Sequence, residues 1–316
     1  MSKKGKKLKD MIKHIRLSLM ALVLGMTLAS CDNDDPSDTS IFTTTQTADT
    51  EFDKWLNDNY VVPYNIQVNY LYNDKLSDNS YNVVPATITN SKAMAMMIKH
   101  VWLDAYGELA GADFLKANAF RVFQFIGSAQ YNSQHEITLG FAEGGVKVNL
   151  FRLNELDLDN LFVNKDDPFP NHYSLPLDLN YWYFHTMHHE FCHILTQKKY
   201  YSTDFQTISA GKYHSADWVN VEDQDAVKEG FVTGYASGEY NEDFAEVYAT
   251  YVTSSASSWA ARLQEAGPEG AAIINAKLDI VRSYFNDSWG IDIDKLRSIV
   301  LRRSDEVVTM DLTTLN

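Results

Sequence analysis

The chain has 316 residues, 45% of them apolar and 13% aromatic, which is enough to build a sizeable core and excludes disorder as the default state. Its formal net charge of -15 is unevenly spread, with about +6 on residues 1–30 and about -21 on the remainder. A body this acidic argues against nucleic acid, or an anionic membrane surface, as a partner held by the chain's own charge.

The first thirty residues have the pattern of an export signal. Lys3 to Arg16 form a positive segment, and Leu17 to Leu28 an apolar run of 12 residues, too short to span a bilayer comfortably. The run ends in LASC, Leu28 to Cys31, which resembles a bacterial lipobox, so residues 1–30 are expected to be removed and Cys31 to carry a lipid. The plain alternatives are an uncleaved anchor or an ordinary signal with an incidental cysteine. CDNDD follows, like the acidic run of surface-exposed lipoproteins in Bacteroidetes-type bacteria. With Cys31 acylated, Cys192 stands alone and no intramolecular disulfide is available. Residues 31–50 are rich in Asp, Ser and Thr and read as a disordered tether. Extended, such a tether reaches about 60 Å and would hold the body clear of the membrane.

The remaining residues, 51–316, are expected to form one domain. FDKWLNDNY, Phe52 to Tyr60, has a short helical pattern, and YNIQVNYLY, Tyr64 to Tyr72, alternates as a strand. Asn73 to Ser91 reads as a loop, Lys92 to Leu109 as a helix, and RVFQFIG, Arg121 to Gly127, as a strand. His135 to Leu153 reads as two strands around Gly144 and Gly145. Beyond Pro176 the pattern is mainly helical. Strands first and helices later predict an α+β domain.

The helical part contains YFHTMHHEFCHILTQ, Tyr183 to Gln197, with neither Pro nor Gly between Leu179 and Gln197. His189, Glu190 and His193 form H-E-x-x-H. On a helix, positions i and i+4 share one face, so both imidazoles can reach one ion with Glu190 beside it. The bland alternative is that these histidines fill a polar pocket or lie on the surface. For His185 an outer or core role outweighs that of a further ligand. His188 points away from His189 and reads as packing, and Cys192 as a small buried thiol.

A catalytic zinc needs a third protein ligand and an open position. The continuation H-E-x-x-H-x-x-G-x-x-H is absent, because Thr196 and Lys199 occupy its places. The other common solution is a Glu on a later helix. In YNEDFAEVYATYV, Tyr240 to Val252, Asn241 can cap a helix, and Glu242 and Glu246 lie one turn apart on one face. An acid in a first helical turn is also favourable with no metal at all. The stretch resembles the ligand helix of gluzincin peptidases. The resemblance implies that Glu242 is the third ligand and that Glu246 holds a ligand imidazole by its second N–H. Glu229, in KEGF, is a rival ligand on the same grounds.

The chain as a whole resembles the zinc-binding metallopeptidases of Bacteroidetes described as substrate import-associated zinc metallohydrolase lipoproteins. The resemblance rests on LASC, YNIQVNY, GFAEGGVKVNLF, HHEFCHIL, GFVTGYAS, NEDFAEVYATYV and KLDIVRSYFNDSWGIDIDKLRSIVLRR. It covers nearly all of the mature chain, and the H-E-x-x-H and EDFAE elements are its specific parts. It implies a zincin-like fold and a lipid-anchored outer-membrane protein associated with TonB-dependent importers of the SusC/SusD kind. The family leaves the substrate undefined. A peptide or glycoprotein is the expected one.

The expected chemistry is hydrolysis of a peptide bond by zinc-activated water, with Glu190 as the base that passes the proton to the leaving amine. Tyr235, in GFVTGYA, is a candidate oxyanion donor, although with 18 tyrosines present a core role is the plainer reading for any one of them. The strand Val146 to Leu150 is a candidate edge for an extended substrate, or an ordinary core hairpin. The competing class is a non-catalytic surface receptor for peptides or glycans with a structural zinc. Hydrolysis of a non-peptide amide is a third.

Overall fold

The structure, a computed structural model, describes residues 50–71, 81–131, 140–143, 146–171 and 173–315. The expected leader, the lipidated Cys31 and all of the tether but Thr50 lie outside the described residues. Thr50 caps the first helix, α1 (Glu51–Leu56), in a reciprocal pair of hydrogen bonds with Asp53. Phe52, Trp55 and Leu56 of α1 are buried. The chain continues through a π-helical turn, Asn57–Val61, and a short turn, Val62–Tyr64. Asn65, in the left-handed conformation with φ of 56°, ends it. The strand expected over Tyr64 to Tyr72 therefore shrinks to β1 (Gln67–Asn69), because the helical segment consumes its first residue.

Within the expected loop of residues 73–91, Ile88 already starts helix α2 (Ile88–Ile98), with Thr87 as its cap. A π-helical turn, Lys99–Leu103, joins α2 to α3 (Asp104–Ala110), and α4 (Ala112–Asn118) follows. This helical run returns the chain to β2 (Val122–Phe125), which pairs parallel with β1, as a crossover connection allows. Of the two strands expected over His135 to Leu153, residues 135–139, Gly144 and Gly145 lie outside the described residues, and the described parts are β3 (Gly140–Glu143) and β4 (Lys147–Leu150), paired antiparallel with Glu143 opposite Lys147. The sheet order is β1-β2-β4-β3, with β4 also parallel to β2. One correction follows. β4 is an inner strand, buried along its length, so it offers no free edge to a substrate. Among the described strands the edges are β1 and β3.

Beyond Pro176 the regular structure is helical, as expected. A π-helical turn, Asn180–His185, leads into α5 (Thr186–Lys198). Then come α6 (Asp204–Ile208), α7 (Asp223–Glu229), α8 (Tyr240–Thr253), α9 (Ala256–Trp289) and α10 (Ile293–Val307). α9 is kinked where Gly267 adopts a φ of 67° ahead of Pro268. Among the described residues no helix is long and apolar enough to cross a membrane.

The apolar face of the sheet, with Phe123, Phe125, Val148 and Leu150, meets the helices in one core. Phe191 of α5 packs edge-on against Trp102 at 5.2 Å between ring centroids, and Trp102 stacks on Phe120 at 5.3 Å. Burying a ring such as Phe191 contributes about 3 kcal/mol. α5 is thereby fixed to the core by one face, and β3 runs beside it.

Candidate metal centre

Helix α5 presents two faces. Met187, Phe191, Ile194 and Leu195 are buried in the core cluster. His189 and His193, one turn apart, face α8, the helix that packs against it. Asp178, just before the π-helical turn, accepts the N–H groups of Asn164 and Asn180 at 2.9 and 3.0 Å and so fixes the approach to this helix.

The two helices bring three ligating atoms together. His189 Nε2 lies 3.0 Å from His193 Nε2 and 3.0 Å from Glu242 Oε2, and His193 Nε2 lies 3.2 Å from the same oxygen. His189 Nδ1 meets Glu246 Oε1 at 2.8 Å. A carboxylate can only accept, so Nδ1 carries the proton and Nε2 is left to turn its lone pair inward. Three lone-pair donors at about 3 Å from one another repel unless a positive charge sits among them. Zinc bonds of about 2.0–2.1 Å at tetrahedral angles place ligand atoms about 3.3 Å apart, close to the spacing found here. The donor set therefore fits a divalent cation, and these residues could hold one.

A proton can meet part of the same need for positive charge. Burial would keep His189 neutral, but the carboxylates of Glu242 and Glu246 outweigh it and push its pKa well above the usual imidazole range. Burial would raise both acids. Instead the imidazoles hold Glu242 far below the carboxylate range and, with Thr233, bring Glu246 to about 2.

Several neighbours fall where the sequence reading put them. His185 lies 3.4 Å from Glu246 Oε1, on the carboxylate side of His189 rather than among the ligating atoms. His188 turns into the core, where Nδ1 meets the Tyr106 hydroxyl at 3.1 Å, and burial lowers its pKa to about 3. Cys192 is a free, buried thiol. The rival Glu229 pairs with His214 at 2.8 Å and is outside the cluster. One local expectation is corrected. α8 begins at Tyr240 with Glu239 as its cap, so Asn241 sits inside the first turn, accepting from the Tyr201 hydroxyl at 2.9 Å. Starting two residues earlier leaves Glu242 and Glu246 on the face toward α5.

Glu190 and His189 line a cleft of about 920 Å³, together with Glu246, Tyr235, Thr233 and Trp218. The Tyr235 ring stands 5.8 Å from the His189 ring and 4.8 Å from Trp218. Burial, and then the Glu242 carboxylate, push its phenol well above the usual range, so it remains a hydrogen-bond donor. Thr233 is a residue that sequence reasoning missed. Its hydroxyl donates to Glu246 Oε2 at 2.7 Å, which fixes the second oxygen of the acid that holds His189. The signal was present in GFVTGYAS, but nothing in that string says which acid it faces.

The family model described as "Putative zinc-binding metallo-peptidase" matches residues 44–294. The chain belongs to this family. A metallopeptidase of the same description from Bacteroides caccae ATCC 43185, known from its crystal structure, is 41% identical, with a TM-score of 0.71. The match covers 88% of this chain and all of that one. No curated protein matches. The α+β fold and zinc as the metal of this metallopeptidase are thus in accord with both the sequence and its relatives.

Proposed function

We propose that this metallopeptidase hydrolyses peptide bonds in peptides or glycoproteins at the cell surface, held to the outer membrane by a lipid on Cys31 and working beside an importer of the SusC/SusD kind. One observation carries the catalytic part. His189 of the His189, His193 and Glu242 cluster lines an open cleft, and Glu190 lines it too. A purely structural metal site would have no use for that opening or for a carboxylate beside it.

Zinc, when bound, supplies Lewis acidity, which acidifies a water and polarises a carbonyl. His189, His193 and Glu242 would hold it, and Glu246 keeps the His189 ring in the orientation and tautomer this requires. The Glu190 carboxylate takes up a proton as water attacks the peptide carbonyl and delivers it to the leaving amine nitrogen. The Tyr235 hydroxyl, protonated and on the cleft lining, would donate to oxygen charge developing there, a role supported by its nearness to His189. Among the described residues β3 has a strand on one side only, and its other edge, beside α5, would offer backbone groups to an extended substrate.

Incubation with a peptide library, with and without a chelator, tests this. Cleavage that stops with the chelator and returns with zinc supports the peptidase reading. A zinc-loaded protein that cleaves no peptide but binds peptides or glycans would favour a receptor. Labelling of the wild type, but not Cys31→Ser, with radioactive palmitate tests the anchor, and protease shaving of intact cells tests surface exposure.

A further inference from the structure

The cleft has two walls that are distant in sequence. One includes Phe169 in the segment before α5, and the other is the turn Thr233 to Tyr235 before α8. No regular secondary structure joins them. Arg262, on the first half of α9, reaches both. Its Nη1 donates to the Val232 carbonyl and its Nη2 to the Pro168 carbonyl. Its guanidinium also lies 4.9 Å from the centre of the Phe169 ring. Arg262 is only 6% exposed, although it lines the cleft. A buried cation spends its desolvation cost on whatever it holds, and a planar fork with two carbonyls fixed in one geometry is a rigid strut.

What the strut holds matters to the site. Val232 is followed by Thr233, which donates to Glu246, and by Gly234, whose N–H donates to Asp223 Oδ1 at 2.7 Å. Tyr235 then stands over His189. On the other wall, Pro168 is followed by Phe169.

We propose that Arg262 is a positioning residue that sets the width of the substrate cleft by tying the Pro168 wall to the Val232 wall. This rests on the peptidase reading for its functional consequence, but not for its structural one. Arg262 is not one of the three clustered residues His189, His193 and Glu242, so its loss should loosen the seat of the substrate while zinc is still bound.

The test is Arg262→Met, which keeps the stem and removes both donors, alongside Arg262→Lys, which can reach one carbonyl at a time. Zinc content, peptide hydrolysis and amide hydrogen exchange are read on each full-length protein. We expect one zinc per chain throughout. In the Met variant, exchange should speed up in residues 164–171 and 231–236 while α5 stays protected, and kcat/KM should fall at least tenfold. The Lys variant should fall between the Met variant and the wild type. Unchanged exchange in both segments, or loosening spread evenly through α5 and the sheet, overturns the proposal. A wild type that cleaves no peptide refutes the peptidase reading, and the exchange data then decide the strut alone.

Discussion

Glu246 is the acid whose replacement tests the proposed centre most directly, because it would act on a metal through His189. Its Oε1 accepts from His189 Nδ1 at 2.8 Å and its Oε2 accepts from Thr233 at 2.7 Å, in a side chain almost fully buried. Glu246→Ala removes both acceptors, frees the imidazole to rotate and leaves a buried N–H unpartnered. A hydrogen bond to a charged group is worth about 1.5–3 kcal/mol, and losing the partner of a ligand imidazole costs 10–100-fold in metal affinity. The full bond is lost here and the side chain is buried, so we expect about a hundredfold weaker zinc binding, or about 2.7 kcal/mol. Glu246→Gln keeps an oxygen for His189 and an amide for Thr233, losing only the charge, and should cost about tenfold. Competition with a chromophoric chelator measures both. An Ala variant within twofold of wild type, or a Gln variant weaker than the Ala variant, would refute the assignment of Glu246 as the support of His189.

Glu190→Gln should keep a full complement of zinc and lose peptide hydrolysis by several orders of magnitude, and unchanged turnover would remove Glu190 from the chemistry. His189→Ala should lose the zinc, which elemental analysis reads directly. Burial raises Asp178 from 3.8 to about 6 in the fold, against the hydrogen bonds it accepts from the backbone. The folded state therefore binds this proton more tightly than the unfolded chain. The group's contribution is most favourable below the ordinary carboxyl value and is lost as pH rises through 6, at a cost of about 3 kcal/mol. Asp178→Asn keeps an oxygen for both N–H groups, so it should raise Tm at pH 8 and leave it nearly unchanged at pH 4. Gly234→Ala should destabilise by about 1–3 kcal/mol and lower activity, because its Cβ would lie 2.0 Å from the Val221 carbonyl. A wild-type Tm for that variant would show that the turn can shift.

The readable part of the site was the part with a short period. His189 and His193 share a helix, so their four-residue spacing fixes their relation before any tertiary contact forms, and Glu242 and Glu246 obey the same rule. The sequence could not say which pair faces which, and family resemblance supplied that link. Thr233 and Arg262 were not legible. Each does its work across a turn or between segments, through a hydroxyl or a guanidinium that could have met any of many carbonyls and carboxylates. The α+β order was visible because the period changes after Pro176. The boundaries were not. Pro63 is tolerated near a helix start, so helical turns run on to Tyr64 and shorten β1, and Thr87 caps a helix that polar residues disguise as loop. The substrate edge was misassigned to β4 because an inner and an outer strand of a hairpin alternate alike.

The bend at Gly267 lets one helix serve two masters. The half of α9 before it carries Arg262 to the cleft, and the half after it buries Lys277, whose Nζ lies 2.6 Å from Asp243 Oδ2, next in the chain to Glu242. The rear of the molecule thus braces the mouth and the ligand helix through a single rod. Straightening that rod, or shifting it along its axis, would disturb the cleft wall and the helix that carries Glu242 at the same moment.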